Sequence, residues 1–216
     1  MTNISEQVSV FLDNDFIIRK CLFSNILSLR ALARHIIKTL ELSEKNLDAA
    51  ISAIRRYKRD HKAKEQARAT KVFSNIGIKT KDNVVDIQLP KNRQVQDKLS
   101  RLNSQIDFEK GDILRIIQAE QGVRVFIDEK NLKSFMEIFS KKEIHSMDKN
   151  LAEIIIQFFP GAEKTLGIIS VVSSSLTAGN ISIHEIMSSA PELIILVKNE
   201  DIVKTLNILN SLKRIY

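Results

Sequence analysis

The sequence predicts an α+β protein in which an N-terminal helical domain is followed by two ferredoxin-like modules of order βαββαβ. Apolar residues recur at helical spacing through the first third of the chain. The order strand, helix, strand, strand, helix then occurs twice, although the two copies share little residue identity. We therefore expect an N-terminal domain at 1–70, a first module at 71–147 and a second module at 148–216.

Three helices are predicted in the N-terminal domain. The first covers SVFLDNDFIIRKCLF, from Ser9 to Phe23, and the second follows Ser28 with the sequence LRALARHIIKTL. The third, LDAAISAIRRYKRDH, begins after Asn46, which is predicted to cap it. The short connection between the second and third helices is typical of a helix-turn-helix, so a (winged) helix-turn-helix-like domain is predicted.

The middle of the chain predicts the first module. NIGIKT and NVVDIQL flank Lys81 and Asp82 and suggest a hairpin, although residues 76–89 fit the wing of a winged helix as well as the middle sheet. Residues 92–106 have apolar positions at helical spacing. ILRIIQA and VRVFID then predict a hairpin, and KNLKSFMEIF predicts a helix.

The last third of the chain repeats this order more clearly. LAEIIIQFF predicts a strand and TLGIISVVSSSLTAG predicts a helix. ISIHEIMS and LIILV predict two strands with Pro191 at the turn between them, and DIVKTLNILNSLK predicts a closing helix. His184 alternates with Ile183 in the first of these two strands and is therefore predicted to point away from the core.

The net charge of +7 is concentrated at the N-terminus. Residues 1–70 hold 13 Lys and Arg against 8 Asp and Glu, a balance of +5, which favours a polyanion as the partner of that part. Two alternatives remain, a solvated basic helix that links two domains and a docking surface for an acidic protein. DNA phosphate contacts are predicted for seven cations, namely Arg30, Arg34, Arg55, Arg56, Lys58, Arg59 and Lys62.

Composition argues against several classes of function. Cys21 is the single cysteine and is predicted to be a buried small hydrophobe, and the four histidines lack metal-ligand spacing, so no metal or other cofactor is predicted. No nucleotide-binding or nucleophile motif occurs, so we predict no catalytic residues and no enzymatic activity. No apolar run approaches the ~20 residues of a membrane span. The acidic N-terminal segment does not resemble a signal peptide, and a cytoplasmic location is expected.

One segment carries a resemblance to a known family. Residues 163–186 read EKTLGIISVVSSSLTAGNISIHEI, with Gly167 in the loop before a helix and Asn180–Ile183 opening the next strand. Together with the apolar LIILV and the acidic turn that follow, this pattern resembles the ACT domain, the small regulatory module of aspartate kinases and many amino-acid enzymes. The resemblance extends from Leu151 to Leu212, and residues 84–139 form a more distant relative of the same module.

The resemblance implies a site for an amino acid or a similar small effector at the strand-to-helix loop. The unpaired N–H groups of a helix N-terminus suit a carboxylate, and Thr165 is predicted to cap this helix. Lys164 adds positive charge, Glu163 is placed to receive an α-ammonium group, and an ordinary solvated loop is the alternative. Asn180, Ile181 and Ser182 are predicted to face the loop. The predicted effector-binding residues are Glu163, Lys164, Thr165, Leu166, Gly167, Ile168, Asn180, Ile181 and Ser182.

These features together predict a non-enzymatic intracellular regulator. It senses an amino acid or similar ligand through its ACT-type modules and contacts DNA through its basic helices. A homodimer is expected, because paired half-sites and paired ACT modules both favour two-fold symmetry. The alternative is an ACT-type accessory subunit that regulates an amino-acid biosynthetic enzyme and does not bind DNA.

Overall fold

The computed structural model describes residues 3–162 and 165–215, and the side chains of 62–71 and 215 are not part of that description. Two predicted effector residues, Glu163 and Lys164, and the side chain of Lys62 therefore lie outside the described residues. The chain divides into two compact units, Met1–Thr70 and Lys71–Tyr216, and each is described by itself.

The N-terminal unit is helical, as predicted. Its described elements are α1 (Ile4–Asn14), α2 (Phe16–Phe23), α3 (Leu29–Thr39) and α4 (Leu47–Phe73), the last continuing into the second unit. No helix in the described part of the chain is both long enough and apolar enough to cross a membrane.

The predicted first helix is wrong in one respect, because the structure divides it into α1 and α2. Asp15 lies between them in an extended conformation, with φ −117° and ψ 94°, and its side chain accepts a hydrogen bond from the N–H of Ile18 at 2.8 Å. An aspartate in this geometry is a strong N-cap and starts a new helix. Ser28 caps α3 as its position suggests, and Asn46 lies in a short 3-10 turn that directly precedes α4.

The N-terminal unit has its own apolar core. The predicted inward faces of the second and third helices are buried there, and Cys21, which was predicted to be buried, is half-buried on α2. The buried members of this core are Val8, Leu12, Leu22, Phe23, Leu32, Ala33, Ile36, Ile37, Ala50, Ala53, Ile54 and Tyr57.

The C-terminal unit contains a six-stranded antiparallel sheet of order β2-β3-β1-β4-β6-β5. The α+β class is confirmed, and the order βαββα occurs twice along the chain. The elements are β1 (Gly77–Leu89), α5 (Arg93–Asn103), β2 (Leu114–Gln118), β3 (Val123–Asp128), α6 (Leu132–Ile138), β4 (Ser146–Gln157), α7 (Ile168–Ala178), β5 (Glu185–Ser189), β6 (Glu192–Lys198) and α8 (Ile202–Ile215).

The hairpin and the wing predicted within residues 76–89 are both wrong. This segment is one strand, β1, which pairs with β4 from Gly77 opposite Gln157 to Gln88 opposite Ser146. The polar residues taken for a turn form a β-bulge, because the left-handed conformation of Asn83 (φ 53°) inserts an extra residue without reversing the chain.

The two long strands β1 and β4 each serve both halves of the sheet. Residues 84–89 of β1 pair with β3, whereas 151–157 of β4 pair with β6. The remaining end of each strand pairs with the other long strand and supplies the fourth strand of the opposite half. Both halves therefore have the strand order of a ferredoxin-like module, and the predicted domain limit after residue 147 falls inside β4.

A pair of bulges bends the sheet between its halves. Asn83 on β1 and Asn150 on β4 both have positive φ, 53° and 59°, and they immediately precede Val84 and Leu151, which lie opposite each other. Asparagine tolerates the left-handed conformation better than most residues, and bulges increase the bend and twist of a strand. Strands that turn a corner at a bulge pass from one packed sheet into another.

The bend brings the helix-free faces of the two halves together. Ile117 on β2 and Met187 on β5 contact the same apolar cluster, although a flat sheet would separate these edge strands by about 24 Å. Arg124 on β3 contacts Glu185 on β5 across a flat-sheet separation of about 19 Å. The buried members of this interior cluster are Val84, Ile113, Phe126, Leu151, Ile194 and Leu196.

Substitution of Asn150 tests the bulge. Asn150→Ala is expected to lower the free energy of unfolding by about 1 kcal/mol, because alanine lacks the short polar side chain that lets asparagine adopt this left-handed conformation, whereas Asn150→Gly is expected to cause no loss, because glycine has no Cβ. Urea unfolding measures both, with Asn103→Ala at the exposed end of α5 as the control. Equal losses for alanine and glycine at position 150 would contradict the assigned backbone conformation.

Candidate ligand-binding cleft

A cleft of about 350 Å³ lies between the N-terminus of α7 and the β5–β6 hairpin. Four of the predicted effector residues, Thr165 to Ile168, line it. The remaining lining residues are Phe158, Ile169, Ser170, Ser188, Ala190, Pro191, Glu192 and Leu193.

Among the described residues, no side chain caps the N-terminus of α7. Gly167 is its N-cap residue, with φ 86°, and makes no capping hydrogen bond from a side chain. The prediction that Thr165 caps this helix is wrong, because Thr165 precedes the N-cap by two residues and its N–H donates to the carbonyl of Ala162 at 2.8 Å. The first N–H groups of α7 and the positive end of its dipole therefore face the cleft without a side-chain acceptor among the described residues.

The predicted second half of the site lies elsewhere. Asn180, with φ 51°, follows the C-terminus of α7, and the N–H of Ile181 donates to the carbonyl of Leu176 at 2.9 Å. The 11 residues of α7 span about 16 Å. The prediction that Asn180, Ile181 and Ser182 face the 163–168 loop is therefore wrong within one chain, because the two segments lie at opposite ends of the helix.

The equivalent position in the first half of the sheet is closed. The side chain of Asn92 accepts a hydrogen bond from the N–H of Val95 at 2.9 Å and caps α5. Lys91 Nζ donates to the carbonyl of Ala119 at 3.0 Å and ties this loop to the β2–β3 hairpin. A Cβ at Gly122 would approach the carbonyl oxygen of Leu89 to 2.9 Å, so the hairpin packs directly against the strand end. The cleft is thus a feature of the second half.

Sequence reasoning missed the hairpin wall of the cleft. Pro191 correctly indicates the turn between β5 and β6, and the N–H of Phe158 donates to its carbonyl at 2.9 Å. The contact between this turn and the loop before α7 depends on the pairing of β4 with β6, which no local pattern encodes.

The cations predicted to contact DNA are mostly exposed. Arg30 and Arg34 lie one turn apart on α3, and Arg55, Arg56 and Arg59 are exposed on α4. Two of the α4 cations already have partners.

The partner of Lys58 is uncharged, and the partner of Arg59 is exposed. Lys58 Nζ donates to the side-chain oxygen of Asn25, and Arg59 Nε lies 3.2 Å from Asp60 Oδ1. The side chain of Asp60 is half exposed, so the second pair contributes little to stability.

His184 belongs to a charged cluster between the two halves of the sheet. Its Nε2 lies 2.8 Å from Asp86 Oδ2 and 3.2 Å from Nη2 of Arg124. The guanidinium of Arg124 also contacts the carboxylates of Asp86 and Glu185. The hydrogen bond to Asp86 is the main cause that raises the pKa of Arg124 above its ordinary value. His184 was predicted to point away from the core, but its side chain contacts Asp86 and Arg124 of the other half of the sheet.

A second ion pair joins the halves nearby. Arg115 Nε and Nη2 donate to the two carboxylate oxygens of Glu153, each at 3.1 Å, and Glu153 is completely buried. This bidentate pairing is the main cause that raises the pKa of Arg115. Asp86 and Glu153 each lie two residues after the paired Val84 and Leu151, so the two central strands contribute one buried carboxylate each.

Three ligand-type groups in the first cluster lie within 4.8 Å of one another, namely those of Asp86, Asp148 and His184. Arg124 already contacts two of the three and supplies the positive charge that the carboxylates require. We therefore interpret the cluster as an ion-pair network between the halves.

No protein-family model and no curated protein matches this sequence. Solved structures with a similar fold include aspartate kinase from Clostridium acetobutylicum (TM-score 0.51, 20% identity), which matches 65% of this chain and 35% of its own. The regulatory subunit of aspartate kinase from Thermus thermophilus matches 62% of this chain and 95% of its own (TM-score 0.50, 16% identity). E. coli aspartokinase III in complex with aspartate and ADP matches 63% and 33% (TM-score 0.50, 19% identity).

These likenesses show a shared fold. The match covers only 35% and 33% of the two whole kinases, from C. acetobutylicum and E. coli respectively. It covers 95% of the separate regulatory subunit from T. thermophilus. Together with the observed elements, these likenesses show an α+β fold similar to that of the regulatory subunit of aspartate kinase.

Proposed function

We propose that this chain is a non-enzymatic regulator whose second ACT-like module binds a small carboxylate ligand, an amino acid with an apolar side chain, in the α7 cleft. The N-terminus of α7 carries the proposal, because no described side chain caps it, whereas the equivalent helix N-terminus of the first half is capped and its cleft is closed. The organisation into an N-terminal domain at 1–70 and modules at 71–147 and 148–216, the cytoplasmic location and the homodimer belong to the same proposal.

The walls of the cleft suit the parts of such a ligand. The N–H groups of Ile168–Ser170, which have no acceptor among the described residues, and the positive helix end favour a carboxylate. Glu192 on the hairpin side is an acceptor for an ammonium group. Leu166 is 88% exposed and Ile169 49% exposed, so an apolar ligand side chain would remove their surface from water. Lys164 and Glu163 remain part of the proposed site.

Strand β5 links the cleft to the ion pairs between the halves. Ser188 near its end lines the cleft, whereas Glu185 at its start contacts Arg124. A ligand that displaces the hairpin is therefore expected to alter the packing of the two halves. A coupling of ordinary size amounts to roughly 1–3 kcal/mol.

A thermal-shift screen against the twenty amino acids tests this proposal. An apolar amino acid present at a hundred times its Kd is expected to raise Tm by roughly 5–10 °C. Ile169→Asp is expected to abolish this response, because the new carboxylate repels that of the ligand. The same carboxylate suits the first turn of a helix, so the unliganded protein should remain folded.

Val203→Asp is the matched control. Val203 is 69% exposed in the first turn of α8, so the change introduces the same charge at another helix start. Its response to ligand should equal that of the wild type. Silence across the panel would refute an amino-acid ligand, and a response that survives in Ile169→Asp would place the ligand elsewhere.

DNA remains the proposed partner of the N-terminal unit. The support is its charge balance of +5 and the exposure of its arginines on α3 and α4. The logarithm of the affinity for duplex DNA is expected to fall linearly with the logarithm of the salt concentration. The double variant Arg55→Ala with Arg56→Ala should bind DNA more weakly and reduce the magnitude of this slope by about 2.

The control for this measurement is Lys141→Ala with Lys142→Ala, two exposed lysines of the other unit. Filter binding or fluorescence anisotropy over a salt series reports both pairs. Equal affinities for the two double variants, or no binding at low salt, would remove DNA from the proposal. The chain would then fit an accessory subunit of an amino-acid biosynthetic enzyme, for which co-purification with that enzyme is the test.

A further inference from the structure

The N-terminal unit contains a groove lined by α1, Asp15 and the end of α3. Its volume is about 550 Å³, and it runs along one side of α1 to the end of α3. Val10, Phe11 and Leu40 are its apolar residues, and Glu6 and Asp15 are its charged ones. We call it the α1 groove.

Val10 is the exposed apolar residue of the α1 groove, whereas Phe11 and Leu40 are partly buried against the core of the unit. Val10 is 54% exposed, although Val8 and Leu12 on the other side of α1 are completely buried in the core. Phe11 is only partly buried, and its ring makes an edge contact with the ring of His35, with 5.9 Å between the ring centres. Exposed apolar surface that forms a groove with a polar rim is typical of a site for another molecule.

The charge of the groove is opposite to that of its unit. Residues 1–70 have a balance of +5, yet Glu6 and Asp15 are both acidic, and no Lys or Arg is among the described residues that line the groove. Asp13, the third acid of segment 3–15, does not line the groove and is paired with Arg19 and Tyr57, so Glu6 and Asp15 carry the charge of the groove. This local field attracts a cationic partner and repels nucleic acid.

The groove extends along α1 for a length that accommodates two turns of a second helix. Glu6, Val10 and Asn14 follow one another at intervals of four residues along α1 and cover about 12 Å, or two helical turns. An amphipathic helix binds such a groove through apolar anchors at i, i+4 and i+7. We propose that the α1 groove docks a cationic amphipathic helix of a partner protein, with apolar anchors over Val10 and Phe11 and flanking Lys or Arg side chains at Glu6 and Asp15.

A designed peptide serves as the probe. It is a fluorescein-labelled helical peptide with Leu at i, i+4 and i+7 and Lys at the flanking positions, and the comparison peptide has Glu in place of every Lys. Fluorescence anisotropy with the full chain is expected to give at least about tenfold tighter binding of the cationic peptide.

Three variants locate the binding. We expect each of three substitutions to weaken binding of the cationic peptide by about fivefold or more. They are Val10→Ser, Glu6→Gln and Asp15→Asn. Asn is an N-cap as good as Asp, so Asp15→Asn removes the charge while α2 still begins at the same residue. Val203→Ser, at an exposed position on α8, is the matched control and should leave the affinity unchanged.

Several results would overturn the docking proposal. They are equal affinities for the two peptides, undiminished binding in Val10→Ser, and no binding of the cationic peptide up to roughly 0.1 mM. A fourth such result would come from sedimentation velocity without peptide. Self-association that disappears in Val10→Ser would assign the groove to a second copy of this chain. Circular dichroism of each variant verifies that its helices are intact.

Discussion

Replacing Glu153 by alanine is expected to lower the free energy of unfolding by about 3 kcal/mol. Glu153 is completely buried and accepts two hydrogen bonds from Arg115, so its removal leaves a guanidinium without its carboxylate between the halves of the sheet. We expect the lower end of the range for a broken buried pair, because the side chain of Arg115 is 32% exposed and retains some water. Urea unfolding followed by circular dichroism measures the loss.

An exposed ion pair is the matched control. Lys149 and Glu129 lie 3.1 Å apart with side chains 44% and 39% exposed, and Glu129→Ala is expected to cost less than about 1 kcal/mol. Joint replacement of Arg115 by Met and Glu153 by Leu should be nearly neutral, because both desolvated charges disappear together. If Glu153→Ala proved as mild as the control, the packing of the two halves described above would be wrong.

Phe126→Ala is expected to cost about 4 kcal/mol. Phe126 is completely buried in the interior cluster between the halves, and the guanidinium of Arg124 lies 5.1 Å from the centre of its ring. The change removes this contact and leaves a cavity that the surrounding strands cannot fill. Thermal and urea unfolding both report the loss.

Phe108→Ala is the control for this prediction, since Phe108 is 53% exposed, and it should change stability by no more than about 0.5 kcal/mol. The comparison tests the bend in the sheet directly. In a flat sheet the helix-free face would meet water, and the two phenylalanine variants would then behave alike.

The secondary structure was largely predictable, because its signals are local. Ser28 followed by an apolar stripe correctly indicated α3, and the turn at Pro191 correctly separated β5 from β6. The break between α1 and α2 was not predicted, because apolar residues continue at helical spacing across Asp15. The side chain of Asp15 nevertheless caps a new helix there. The bulge at Asn83 was predicted as a hairpin turn, because the sequence Lys-Asp-Asn suits a turn as well as a bulge. Pairing with the long strand β4 selects the bulge.

The candidate cleft was half predictable for a similar reason. Gly167 and its neighbours belong to a strand-to-helix loop that local sequence indicates, and they do line the cleft. The opposite wall, with Pro191 and Glu192, comes from a hairpin more than twenty residues later. Asn180 was assigned to the site through a family pattern, and the length of α7 separates it from the loop.

The sequence by itself determined the α+β class, the helical N-terminal unit and the repeated order of strands and helices, because periodicity and capping depend on residues a few positions apart. Tertiary structure alone decided that β1 and β4 serve both halves and that the sheet bends at Asn83 and Asn150. It also decided that His184 meets Asp86 across the bend. Those features depend on pairing between residues distant in the chain, where the buried area and ion pairs of the whole sheet outweigh any local preference.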